Sequence, residues 1–220
     1  MHFFCPKEPL PMSSEDSPIS FERIVFFSDA VFAIVITLLV LEIKVPHLSE
    51  NSENALNSEL MHMLPKFFGF ICSFFIIGLM WFEHHRIFRF IGRFDSGLIW
   101  RNLLFLLFIS FIPFPTALFS EYFWAKSTFL LYVSSFGLAA IAKLFIWNYA
   151  VKKALLVDGI DAALPSQISR RSLAVPLGCL VCLLLGAVVP VYFAFLGFPL
   201  IPLFAYLLDP GKKPKIETAE

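Results

Sequence analysis

A short run near the N-terminus sets a cation, a hydroxyl and a carboxylate inside an otherwise apolar stretch. It reads Arg23-Ile24-Val25-Phe26-Phe27-Ser28-Asp29, with Thr37 and Glu42 further on. Polar groups at membrane depth are costly to keep, so function is sought there first. On a helix, at about 100° per residue, Arg23, Phe27, Ala30, Ile34, Thr37, Leu38 and Leu41 fall on one stripe. Ser28 and Asp29 lie off that stripe and point toward neighbouring helices. A carboxylate in that position needs a partner, which Arg23 or a donor from another span can supply. Two readings stand side by side: a functional stripe backed by a polar anchor, or an interfacial Arg23–Asp29 anchor with an ordinary packing face.

Other chemistry-bearing residues are sparse. His84 and His85 are adjacent, so on a helix they point about 100° apart and cannot share a metal ion unaided. Taken alone they read as interfacial residues ahead of Arg86. His62 reads as plain surface. Cys179 and Cys182 form a C-x-x-C within an apolar run with no acidic or His neighbour, and small packing residues are the expectation. Cys5 and Cys72 suggest no disulfide. Lys143 is the single charge near the middle of a later span; it serves a coupled transporter, or it snorkels or pairs. There is no Gly-rich phosphate loop, no Ser/His/Asp arrangement and no clustered catalytic set, so an enzyme is not expected.

The elements that must hold these groups are membrane helices. Of the 220 residues, 58% are hydrophobic and 15% charged, with 28 Phe and a mean hydropathy of +0.78. A soluble domain carries about a quarter charged residues. A formal net charge of zero offers no field for nucleic acid. Six apolar stretches are candidate spans: Ile24–Val45, Lys66–Phe82, Leu98–Phe119, Phe129–Val151, Leu173–Val189 and Val191–Leu208. The second is short unless it continues through Glu83, His84 and His85. Pro190 divides the last two, since Leu173–Leu208 is too long for one span.

Lys and Arg alternate between connections. Arg86, Arg89, Arg93 and Arg101 lie on one side with Lys152, Lys153, Arg170, Arg171, Lys212, Lys213 and Lys215; Lys44, Lys66 and Lys126 lie opposite. The positive-inside rule then puts both termini in the cytoplasm and the His47–Pro65 connection outside. The expected organisation is an all-α integral membrane protein: a cytoplasmic tail over residues 1–17, a six-helix domain over 18–208, and a cytoplasmic tail over 209–220. Met1–Phe21 has no signal-peptide pattern, and Ser17-Pro18 resembles a helix start. Spans 1–3 do not resemble spans 4–6, which weighs against an inverted-repeat transporter.

The R-x-x-x-F-S-D run (Arg23, Phe27, Ser28, Asp29) and its continuation to Ile43 resemble the first helix of the endosomal/lysosomal-type transmembrane potassium channel family. W-x-x-H-H-R-x-F (Trp81, His84, His85, Arg86, Phe88) matches as well. So does Asp95 through Asn102 leading to Pro113-Phe114-Pro115-Thr116. One six-helix unit per chain is similar to the prokaryotic branch, in the cell membrane. The resemblance implies a homotetramer in the lipid bilayer whose first helices line a central pore for monovalent cations. It implies an apolar constriction at Ile34, Leu38 and Leu41, with the Thr37 hydroxyl beside them. It also implies that the F-S-D segment packs against Trp81, His84, His85 or Asn102. No cofactor is implied; potassium is only the permeant ion. Without a carbonyl filter, modest selectivity is expected. A proton- or solute-coupled transporter and a non-conducting scaffold are the alternatives.

Overall fold

A computed structural model describes residues 21–48, 50 and 52–190. Among the described residues eight helices follow one another: α1 Phe21–Leu41, α2 Glu53–His62, α3 Leu64–Phe88, α4 Ser96–Phe111, α5 Pro113–Glu121, α6 Lys126–Lys152, α7 Leu164–Ser172 and α8 Ala174–Val188. Among the described residues they combine into five segments long and apolar enough to cross a membrane: Phe21–Leu41, Leu64–Phe88, Ser96–Glu121, Lys126–Lys152 and Leu164–Val188. The protein is thus an all-helical, multi-pass membrane chain. The span expected at Val191–Leu208, the tails 1–17 and 209–220, and the Ser17-Pro18 start lie outside the described residues.

Where boundaries differ from the sequence reading, the local cause is visible. The second span does not stop at Phe82; α3 continues through Glu83, His84 and His85 to Phe88. That extension is possible because Glu83 is matched by Arg86 one turn on, at 3.2 Å. Leu98–Phe119 is two helices rather than one. Pro113 and Pro115 lack the N–H groups a continuous helix needs, so the chain breaks at Ile112. The His47–Pro65 connection holds the unexpected α2, started by Ser52, whose hydroxyl accepts from the Ala55 N–H at 3.2 Å. The fifth span begins earlier than Leu173, with α7, and passes through Leu173 into α8.

α6 is the central pillar, with α4, α5, α7 and α8 packed around it, and Trp147, Phe129 and Tyr132 fully buried. A polar knot ties three helices at this core: the Ser73 hydroxyl lies 3.0 Å from both the Thr116 and Tyr132 hydroxyls. Each buried hydroxyl thereby finds a partner, as a medium without water requires.

The α3–α4 connection meets the α6–α7 connection edge to edge. Gly92 N–H donates to Leu155 O at 2.9 Å, and Val157 N–H donates to Phe90 O at 3.0 Å. A side chain at Gly92 would strike Val157, so the close approach demands glycine. Arg93 and Asp158 pair across the same seam at 3.2 Å. The pairing gathers Arg89, Arg93, Lys152 and Lys153 at one end of the bundle. At the other end Lys66, opening α3, pairs with Glu121, closing α5, at 2.6 Å. Trp100 and Trp124, each 72% exposed, stand near opposite ends, where amphipathic rings favour the membrane interface.

Candidate functional site at the first helix

α1 has two unlike faces. Ile24, Ser28, Phe32, Val35 and Leu39 are buried against the subunit. Arg23, Phe27, Ala30, Ile34, Thr37, Leu38 and Leu41 are all exposed. The stripe obtained from helical spacing is therefore part of the face this subunit leaves uncovered; Phe26, Ala33 and Val40 widen it. Ile34 is 57% exposed and Leu41 68%. Thr37 turns its hydroxyl back along the helix, donating to Ile34 O at 2.8 Å, and keeps acceptor capacity outward.

The covered face is clamped by hydrogen bonds from α3 and α4. Ser28 is fully buried; its hydroxyl donates to Ile24 O and accepts from Asn102 Nδ2, both at 2.9 Å. Asn102 Oδ1 in turn accepts from His84 Nε2 at 2.9 Å. Because an amide oxygen only accepts, this bond places the His84 proton on Nε2. The ring is held among Phe32, Phe88 and Phe105, lying nearly parallel to Phe105 at 5.2 Å between centroids. Next to Ser28, Asp29 Oδ1 accepts from Trp81 Nε1 at 2.8 Å. His85 flanks the Trp81 ring at 5.9 Å.

Of the partners left open by the sequence, Trp81 therefore holds Asp29, and Arg23 makes no ion pair among the described residues. His84 touches neither Asp29 nor Ser28 through a hydrogen bond; it reaches Ser28 by way of Asn102. His85 takes no part in the chain of bonds. Phe32 and Phe105, which cage His84, went unnoticed in the sequence. Phe32 falls one turn after Ser28 on the same face, and that spacing is the signal that could have found it.

Lys143 is buried and paired with a partly buried carboxylate. Its Nζ lies 3.9 Å from Glu83 Oε2, which also accepts from Arg86. Cys179 and Cys182 are buried on α8, and with Glu83 and Lys143 they line a mainly apolar cavity of about 190 Å³. An acidic side chain thus does stand near them in space, although none is near them in sequence. Among the described residues no three His, Cys, Asp or Glu side chains gather to hold a metal.

Comparison with known proteins places this arrangement. The sequence profile of the endosomal/lysosomal potassium channel TMEM175 family matches residues 23–113. That range contains the whole α1 stripe and its clamp. A potassium channel of Chamaesiphon minutus is 43% identical over 131 residues, covering 58% of this chain and 64% of that protein. The human endosomal/lysosomal proton channel TMEM175 is 36% identical over 102 residues, 44% of this chain and 20% of that one. The chain spans less than two thirds of the length of these curated relatives. The crystal structure of a lysosomal potassium-selective channel TMEM175 homolog from Chamaesiphon minutus superposes with a TM-score of 0.74 at 34% identity, covering 86% of this chain and 97% of that one. With a structure matched over nearly its whole length and a family profile centred on α1, α3 and α4, this chain belongs to the endosomal/lysosomal potassium channel TMEM175 family.

Proposed function

We propose that the protein is a passive, modestly potassium-selective cation channel in the plasma membrane of a prokaryotic cell. It works as a homotetramer whose four α1 helices line the pore, with both termini in the cytoplasm. The observation that carries this reading is the division of α1 into a face bonded rigidly to its own subunit and an opposite face that is apolar, exposed and marked by one hydroxyl. An ordinary packing face has no need of an anchor such as Ser28–Asn102–His84. A pore helix does, because its tilt sets the width of the constriction. Ile34, Leu38 and Leu41 then form successive apolar rings that an ion crosses partly dehydrated, and a narrow ring gates by excluding water.

Membership of a family whose relatives bear potassium- and proton-channel names supports conduction over the alternatives. A coupled transporter loses its best candidate, since Lys143 is engaged with Glu83 away from α1. Recording purified protein in planar bilayers under potassium, sodium and proton gradients tests the proposal. Unitary currents are expected whose reversal shifts from zero toward the potassium potential without reaching it. Slow saturable flux points to a transporter, silence to a scaffold, and either result overturns the channel reading. Native mass spectrometry showing a stable monomer or dimer overturns the tetramer.

A further inference from the structure

We propose that the groove between α4 and α6, at the basic end of the bundle, is a binding site for an anionic phospholipid. The groove holds about 680 Å³ and is walled by Arg101, Lys152 and Lys153 together with Asn148 and Tyr149. Arg101 is preset there: its guanidinium stacks 3.7 Å from the centre of the Tyr149 ring, and one N–H donates to Gly97 O at 2.8 Å. The remaining donors of that rigid fork stay available for a phosphate. Lys152 and Lys153 are exposed and carry no salt bridge among the described residues. Arg101 and Lys153 have one carboxylate nearby, Asp95, whose oxygens are already taken by the Tyr149 hydroxyl at 2.7 Å and the Leu98 N–H at 2.8 Å. The groove is left cationic.

A second observation distinguishes a lipid from a free anion. Leu104 and Phe145 line the same groove below the cations. Their stripes continue away from the basic end, through Leu107 and Phe111 on α4 and through Ile141 and Leu138 on α6, and all are exposed. The two helices run antiparallel, so both apolar stripes lead into the membrane from the same cationic mouth. A headgroup phosphate seats among the cations while acyl chains lie along the stripes. Basic pockets between membrane helices recognise anionic headgroups in this way.

The test is native mass spectrometry of the intact protein in detergent, titrated with phosphatidylglycerol or with phosphatidylcholine of the same chains. Wild type should retain phosphatidylglycerol saturably and in preference to phosphatidylcholine. The double variant Lys152→Gln/Lys153→Gln should weaken retention roughly tenfold to thirtyfold. Arg89→Gln/Arg93→Gln removes the same charge from the same end outside the groove and should leave retention near wild type. Lys152→Arg/Lys153→Arg should keep it. A thermal shift of the wild type on adding phosphatidylglycerol gives a reading that depends on no variant. Equal retention of the two lipids, equal losses in the two glutamine pairs, or full displacement by water-soluble glycerol phosphate each overturns the proposal.

Discussion

Trp81 Nε1 donates to Asp29 Oδ1 at 2.8 Å, joining the C-terminal third of α3 to the carboxylate of α1 across 52 residues of sequence. The adjoining Ser28 is gripped from α4 instead, by Asn102. Two consecutive residues on one helix are thus bonded to two different helices. This fixes both the rotation of α1 and its distance from the bundle.

Removing either partner of the Asp29 bond should loosen that placement. Asp29→Ala and Trp81→Phe each leave one polar group unmatched at membrane depth, at about 1–3 kcal/mol. Both should lower the melting temperature in detergent. Asp29→Asn retains an acceptor for the indole and should stay near wild type. Full stability in Asp29→Ala, with normal assembly, removes the anchoring role.

The Ser28–Asn102–His84 chain should behave as a unit. Ser28→Ala and Asn102→Leu, measured singly and together by thermal unfolding, should show a coupling of about 1–2 kcal/mol, because each single change strands the other's polar atom. His85→Ala should uncouple from both. Strict additivity of Ser28→Ala and Asn102→Leu contradicts a shared network.

At the proposed constriction, Ile34→Asn wets an apolar ring and offers ions a ligand. It should raise conductance and erode the preference for potassium over sodium. Thr37→Ala removes a hydroxyl with little bulk and should lower selectivity with less change in current. A well-assembled Ile34→Asn protein with unaltered conductance and ion preference excludes this side chain from the pore.

Glu83 and Lys143 form a pair that is better lost together than singly. Glu83→Gln leaves the buried Lys143 ammonium without its carboxylate and should cost about 3–5 kcal/mol. Lys143→Met added to it should restore most of the loss, since the site is lined mainly by apolar side chains. Thermal unfolding of the wild type, Glu83→Gln and the double variant decides it; a double variant as unstable as Glu83→Gln alone refutes the pairing.

Asp95, just ahead of α4, adds an acid dependence. Burial raises its pKa, but the Tyr149 hydroxyl and Leu98 N–H bonds, with Lys153 and Arg101 nearby, hold it below the ordinary carboxylate value. A depressed folded-state pKa contributes stability that is complete above the unfolded pKa and lost as pH falls through the folded one. The stability gap between wild type and Asp95→Ala should therefore be constant above about pH 5 and narrow below about pH 4. A gap that widens with acid has the wrong sign for this account.

Much of α1 was legible in the sequence because its information is local. That Ile34, Thr37, Leu38 and Leu41 share one stripe follows from the helical repeat alone; that the subunit leaves it uncovered came from the packing of the other helices. The rotation of Ser28 and Asp29 away from it follows from the same arithmetic. Membrane class also needed nothing beyond composition, since 58% hydrophobic residues with so few charges leave bilayer burial as the economical solution. What Asp29 binds was a different kind of question. Arg23 is near it in sequence and Trp81 is not, and helix packing chose Trp81, because a carboxylate at that depth bonds to whichever donor the neighbouring helix turns toward it. Asn102, 74 residues from Ser28, became the link to His84 for the same reason. The Glu83–Lys143 pair joins α3 to α6, so its members are charges without evident partners until those helices are set side by side. Periodicity determines which way a side chain points from its own helix; only the packing of helices determines what stands there to meet it.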